Sequence, residues 1–140
     1  MKREIDRWLL LPSAGLVLVG VAAFFAWRVR SERLALAAIS VAESRLDPAG
    51  SLSRSSNPEL TLNAVLAHAP RERQVELSCD FKDQSGTVRH QKHWETRTID
   101  RELWPTHCRQ RFTTSDAAGL WSVTMKQNER PLTTARFRLE

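Results

Sequence analysis

Residues 75–81 read VELSCDF, and in this stretch every odd-numbered residue is apolar while every even-numbered residue is polar. Since the side chains of an extended strand point alternately to its two faces, this pattern predicts a half-buried β-strand. The same period of two recurs at residues 60–66, 121–125 and 133–139. We therefore predict an all-β fold for residues 59–140, a small sandwich of six or seven strands.

Both cysteines of the chain fall on apolar positions of predicted strands. Cys79 belongs to the stretch above, and Cys108 shares a face with Phe112 in a later strand. A buried pair of cysteines in an oxidising compartment forms a disulfide. We therefore expect a Cys79–Cys108 bond and a domain outside the cytoplasm. The alternative is a cytosolic domain with two buried free thiols.

The N-terminal part of the chain carries a long uncharged run, residues 8–27, WLLLPSAGLVLVGVAAFFAW. As a helix, such a run spans about 30 Å, the thickness of the hydrocarbon layer. We therefore predict an N-terminal tail and transmembrane helix over residues 1–27, in contact with the lipid bilayer. Three basic residues flank each end, so the cysteines decide the orientation. They place the N-terminus in the cytoplasm and the C-terminal domain in the periplasm, at a bacterial inner membrane.

Two connecting segments follow the predicted span. Residues 28–46 carry apolar side chains at helical spacing, which predicts a juxtamembrane helix, or stalk. Residues 47–58, DPAGSLSRSSNP, are rich in proline, glycine and serine and indicate a linker. The small apolar side chains of the stalk form a stripe that favours a partner helix, with packing on the protein's own domain as the alternative. The stripe runs from Leu34 to Ala42 and includes the expected contact residues Leu34, Ala37, Ala38 and Val41.

The last strands of the chain carry a recognisable pattern. Gly119, Trp121 and Val123 spell G-x-W-x-V, and Phe137 and Leu139 follow as F-x-L. This part of the chain resembles membrane-anchored bacterial immunoglobulin-like domains of unknown function, which end in such a strand pair. The resemblance implies an immunoglobulin-like sandwich. It implies no catalytic residue, because the pattern specifies a hairpin packed on a core.

The sequence offers little that would support catalysis or metal binding. Of the four histidines, only His90 and His93 lie close together, and residues three apart on a strand point to opposite faces. There is no phosphate-binding glycine loop, no G-x-S-x-G and no H-E-x-x-H motif. We predict no catalytic residue, no metal site and no cofactor.

The charge distribution argues against nucleic acid as a partner. The net charge is +5, but residues 59–140 carry thirteen basic residues against eleven acidic ones, and the two kinds are interspersed. Binding to phosphates needs a clustered basic face. We therefore predict no nucleic-acid partner.

The function that remains is interaction. A small domain without recognisable chemistry favours a non-catalytic accessory subunit that binds other integral membrane proteins of a complex, and a homo-oligomer stays open. The alternative is a periplasmic domain that binds a cell-wall glycan or a metal ion. Trp104, next to Pro105 in a predicted loop, is the best candidate for an exposed aromatic contact in either case.

Overall fold

The structure, a computed structural model, describes the backbone of residues 10–140 and the side chains of residues 15–140. The chain divides into two units at residue 37, and the second unit covers Ala38–Glu140. In the first unit the structure describes a single helix, α1, Leu10–Ala37. The predicted N-terminal tail and the first two residues of the predicted membrane span lie outside the described residues.

The prediction of a transmembrane helix is corrected by the structure. Within residues 10–140 no helix is long and apolar enough to cross a membrane. In the part of α1 with described side chains, the uncharged run covers only Gly15–Trp27, because Arg28 and Arg30 follow. A span needs about 20 predominantly apolar residues.

The second unit is built from eight strands, one or two more than predicted. The strands are β1 Ser40–Asp47, β2 Ser51–Leu52, β3 Glu59–Ala67, β4 Glu76–Lys82, β5 Val88–Glu95, β6 Leu103–Arg111, β7 Gly119–Gln127 and β8 Arg130–Leu139. They form a three-stranded sheet in the order β1-β3-β6 and a five-stranded sheet in the order β2-β8-β7-β4-β5. All pairings are antiparallel except that of β2 with β8. Two mostly antiparallel sheets of this kind form an immunoglobulin-like sandwich.

The helical stalk and the linker are also corrected. The helix ends at Ala37, and residues 40–47 form a strand that pairs with β3. Ile39 is buried and Val41 packs against the core, so pairing and burial outweigh the helix propensity of this alanine-rich segment. The predicted linker contains β2, whose Leu52 is also buried, and a short 3-10 turn at Arg54–Ser56. The β unit therefore begins about twenty residues before the predicted boundary at residue 59.

The core lies between the two sheets and is fastened by the predicted disulfide. Cys79 of β4 bonds to Cys108 of β6, which confirms that prediction and links one sheet to the other. Beside it an aromatic cluster fills the interior. Phe112 packs edge-on against Trp121 with ring centres 5.3 Å apart, and Trp121 stacks on Phe137 at 6.3 Å. Trp121 and Phe137 are direct cross-strand partners, so the G-x-W-x-V and F-x-L segments do form one hairpin.

Candidate functional site

The outer face of the three-stranded sheet carries a shallow depression of about 470 Å³, which we call the β3 groove. It exists because the middle strand places small or medium side chains outward, Asn63 and Val65, between longer side chains on both neighbouring strands. The groove is lined by Glu43 and Arg45 of β1, Asn63, Ala64 and Val65 of β3, and Pro105, Thr106 and His107 of β6.

The strand register arranges the groove in rows across the sheet. Asn63 pairs with Arg45 on one side and with His107 on the other. The guanidinium, the carboxamide and the imidazole of this row can all donate hydrogen bonds, so we call it the donor row. Cα atoms of paired residues lie about 5 Å apart, so the row is about 10 Å wide.

The next row is more apolar and contains one acid. Val65 pairs with Glu43 and with Pro105. One step further, Ala67 pairs with Leu103, whose side chain is 53% exposed. Leu103 is the most exposed large hydrophobic residue of the β unit. Val65 and Pro105 therefore form the apolar end of the groove, next to the donor row, and Leu103 lies just beyond this end.

The charged groups of the groove are available for contacts outside the molecule. Among the described residues, none makes a hydrogen bond or an ion pair with the side chain of Arg45, His107 or Glu43. The neighbouring acid Glu59 differs, because it lies 3.5 Å from Arg111 in an ion pair. An unpaired guanidinium on a sheet face can form charge-assisted hydrogen bonds with a carboxylate of another molecule.

On the outer face of the five-stranded sheet, some charged side chains are already paired with one another. Asp80 is almost fully buried there, and its carboxylate accepts hydrogen bonds from Lys126 at 2.5 Å and from Gln91 at 2.7 Å. Burial opposes the ionisation of Asp80, but these hydrogen bonds outweigh it and lower its pKa. The hydrogen bond to Asp80 also raises the pKa of Lys126. This network stabilises the sheet and occupies the charged groups of Asp80 and Lys126.

The residues predicted to bind a partner helix do not all lie on a helix. Leu34 and Ala37 are exposed on α1, whereas Ala38 follows the end of the helix and belongs to the second unit. Val41 lies on β1 and packs against the sandwich core. The predicted stripe is thus divided between two units and between helix and strand.

Trp104 lies within β6 instead of a loop and is only partly exposed. It alternates with the outward-facing residues of β6, so its ring points to the side opposite the β3 groove. The guanidinium of Arg101 covers the ring at 5.8 Å from its centre. This cation–π contact covers one face of the ring.

The histidines are separated in the structure. His90 and His93 both lie on β5 and face opposite ways, as their spacing requires. His90 stacks on Trp121, and its Nε2 lies 2.6 Å from a carboxylate oxygen of Asp116. Across residues 10–140, no group of three or more His, Cys, Asp or Glu side chains could hold a metal ion.

The sequence did not identify the residues of the β3 groove as a site, and the reason differs from residue to residue. Arg45 belongs to a segment whose composition favours a helix, so its place on a strand was not expected. Asn63 and His107 occupy the polar phase of their strands and looked like ordinary solvent-facing residues. Leu103 carried a usable signal, because it shares the phase of His107 and Arg109 and is therefore an apolar residue on a polar face.

Two solved structures share this fold. An alkylpurine DNA glycosylase, AlkC, from Pseudomonas fluorescens, bound to DNA containing an abasic site analog, matches with a TM-score of 0.55 and 15% identity, over 74% of this chain and 30% of that chain. An immunoglobulin-like protein from Pseudomonas aeruginosa matches with a TM-score of 0.51 and 11% identity, over 73% of this chain and 96% of that chain.

These likenesses show the fold alone, and they confirm the prediction of an immunoglobulin-like β domain. This chain spans less than a third of the length of the glycosylase that it resembles. No protein family and no curated protein matches its sequence.

Proposed function

We propose that this chain is a non-catalytic interaction protein whose immunoglobulin-like domain binds a partner protein through the β3 groove. The observation that carries the proposal is the position of Leu103. The most exposed large hydrophobic residue of the domain lies on the same side of β6 as Pro105 and His107, two residues beyond the end of the groove at Pro105. An apolar patch rimmed by polar side chains is typical of a protein-binding surface.

A protein partner fits the charge of the domain better than a nucleic acid does. Residues 38–140 contain fifteen basic and thirteen acidic side chains. On the outer face of the three-stranded sheet the charges are mixed, because Glu43, Arg45 and Asp47 alternate along β1 and Arg111 of β6 forms an ion pair with Glu59 of β3. Phosphate binding depends on a clustered basic surface, which this face lacks.

We further propose that the domain works outside the cytoplasm, in an oxidising compartment such as a periplasm. Support comes from the Cys79–Cys108 bond, whose two residues are almost fully buried. Cytosolic thiols are kept reduced, and structural disulfides belong to secreted and periplasmic proteins. Alkylation of acid-quenched cells followed by mass measurement should find both cysteines unmodified. Two alkylated cysteines in freshly lysed cells would contradict this compartment.

The test of the binding surface compares two matched substitutions. Leu103→Glu places a charge at the apolar end of the groove, and Leu120→Glu places one on the five-stranded sheet, where Leu120 is 43% exposed. Proteins that co-purify with the tagged full chain in its own cells are compared by mass spectrometry. We expect Leu103→Glu to lose specific partners at least tenfold while Leu120→Glu retains them. Equal recovery by both variants, each folded by circular dichroism, would exclude the groove as the binding surface.

A further inference from the structure

The dimensions of the three-stranded face limit what can bind to it. Strands lie about 4.8 Å apart and rise about 3.4 Å per residue, so the face measures about 15 Å by 30 Å. Its area of about 450 Å² is roughly half of the 800 Å² that each partner contributes to a standard protein–protein interface. A second copy of the domain or another globular surface would therefore bury too little area on this face alone. An extended segment laid along β3 matches both its length and its width.

From these dimensions and the chemistry of the groove, we propose that its ligand is an extended peptide segment that carries an acidic residue and an aliphatic residue four positions apart. This inference rests on the proposed function and names the kind of segment that the groove recognises. The acidic side chain sits on the donor row, between Arg45 and His107. The aliphatic side chain contacts Leu103 and Pro105.

The spacing follows from the register of the sheet. The donor row is centred on Asn63, and Leu103 lies level with Ala67, four residues further along β3. Four residues of extended chain cover about 13 Å in both the sheet and the ligand. Side chains four apart in an extended peptide also point to the same side, so both can enter the groove. Either chain direction satisfies this geometry.

Charge fixes which end of the groove receives the acid. Arg45 and Asn63 offer donors to a carboxylate, and a guanidinium on a carboxylate forms strong, charge-assisted hydrogen bonds. Glu43 stands in the next row, opposite Val65. Its negative charge repels a ligand carboxylate that lies level with Val65 instead of Asn63. Since Val65 is two residues from Ala67, the partner of Leu103, Glu43 disfavours peptides in which the acidic and the aliphatic residue are two positions apart.

The experiment selects ligands without assuming their sequence. A library of random octapeptides is displayed and selected on the oxidised full-length chain. We expect enrichment of peptides with Asp or Glu four positions from Leu, Ile or Val. Enriched peptides are then labelled with fluorescein and titrated by fluorescence anisotropy, at low and at high salt. Arg45→Ala and Leu103→Ala should each weaken binding at least tenfold, and salt should weaken it because the ion pair is partly exposed.

Matched controls come from the other sheet, where Arg138 and Leu120 are similarly exposed. Arg138→Ala and Leu120→Ala should change the affinity less than twofold. The inference is overturned if no peptide is enriched, if the enriched peptides lack the four-residue spacing, or if Arg45→Ala leaves binding intact. If such a result accompanies a loss of cellular partners in Leu103→Glu, the proposed function stands and only the peptide chemistry is wrong. If the groove variants keep both their cellular partners and their affinity for the peptide, both proposals are wrong.

Discussion

Cys79 and Cys108 join the two sheets with their Cα atoms 6.6 Å apart, and Cys108 directly follows His107 of the β3 groove. β6 is an edge strand that pairs only with β3. The disulfide gives it a second attachment, to β4, an interior strand of the opposite sheet. One wall of the groove is therefore held both by hydrogen bonds to β3 and by a covalent bond across the core.

Removing the disulfide should destabilise the domain strongly. Replacement of Cys79 and Cys108 by alanine opens a covalent loop with a sequence separation of 29. For a loop of this size the chain-entropy relation gives about 3–4 kcal/mol of lost unfolding free energy. Urea denaturation followed by tryptophan fluorescence measures the change, with the unmodified chain in excess reductant as a control. A decrease in unfolding free energy below about 1 kcal/mol in both samples would show that the disulfide contributes little to stability.

The turn between β4 and β5 should make stability depend on acidity. The Asp83 carboxylate accepts hydrogen bonds from the Ser85 hydroxyl and backbone N–H, and from Arg89 Nε at 2.6 Å. The Ser85 hydroxyl and then Arg89 lower the pKa of Asp83 to about 2. Since this pKa lies below the ordinary value of 3.8, the stabilisation is complete above about pH 4 and is lost as the pH falls towards 2.

Asp83→Asn should therefore lower the unfolding free energy at pH 7, and its difference from the unmodified chain should shrink between pH 4 and pH 2. Denaturation curves collected across this range measure the difference. Ser122→Ala, a hydroxyl deletion on the adjacent β7, serves as the control and should leave the pH profile unchanged. A difference that stays constant down to pH 2 would rule out ionised Asp83 as the source.

The loop between β6 and β7 depends on one carboxylate. Asp116 accepts a hydrogen bond from the backbone N–H of Thr113 at 2.9 Å, and its other oxygen lies 2.6 Å from His90 Nε2. Because an ionised carboxylate only accepts, the imidazole donates. Arg54 donates to the backbone oxygen of Asp116 at 2.9 Å. The loop is thus fixed from β5 and from the 3-10 turn.

Deleting this contact should loosen the loop. We expect Asp116→Ala to lower the unfolding free energy by about 1–3 kcal/mol, because it removes a partner from a partly buried imidazole and from a backbone N–H. A double-mutant cycle with His90→Ala should give a coupling energy of at least about 0.5 kcal/mol. Hydrogen exchange at Thr113 should quicken in Asp116→Ala. Additive effects of the two substitutions would mean that His90 and Asp116 act independently.

The strands of this fold could be predicted where burial enforces a period of two. Residues 76–81 and 121–125 both lie in strands that face the core on one side. In β7 alternate side chains are buried, whereas in β4 the outward-facing Ser78 and Asp80 are covered as well. The glycine before Trp121 is also informative, since Gly119 has a φ of +128°, a region that disfavours other residues. The alternation of residues within each strand thus identifies the side that faces the core, and the two cysteines lie on that side.

The sequence-based predictions were wrong or incomplete where contacts between distant segments determine the conformation. Residues 40–47 are exposed at most positions, so no burial period marks them as a strand, and their conformation depends on pairing with β3 and on contacts of Val41 and Leu46 with the core. The same holds for the groove, because it arises from the neighbouring positions of β1, β3 and β6. Strand register between distant segments could not be read from the sequence, so the row of Arg45, Asn63 and His107 was not predictable.

The edge strand β5 of the five-stranded sheet carries a charged residue, Lys92, that disfavours self-association. β5 pairs with β4 on one side and is open on the other. Lys92 pairs with Cys79, whose side chain points to the core, so Lys92 also points inward although it is exposed. An inward-facing charge on an edge strand prevents another strand from extending the sheet, because the charge would be buried between two sandwiches.

Replacing this charge should permit edge-to-edge pairing. We expect Lys92→Val to increase concentration-dependent association relative to the unmodified chain, as measured by sedimentation velocity over a range of concentrations. His93→Val is the matched control, because it adds the same β-branched residue to the same strand, but on the exposed outer face opposite Ser78. A general gain in hydrophobicity or strand propensity would affect both variants alike, whereas removal of an inward charge affects only the first. If Lys92→Val sediments like the unmodified chain at every concentration, or if His93→Val associates equally, the inward lysine is not what keeps β5 unpaired.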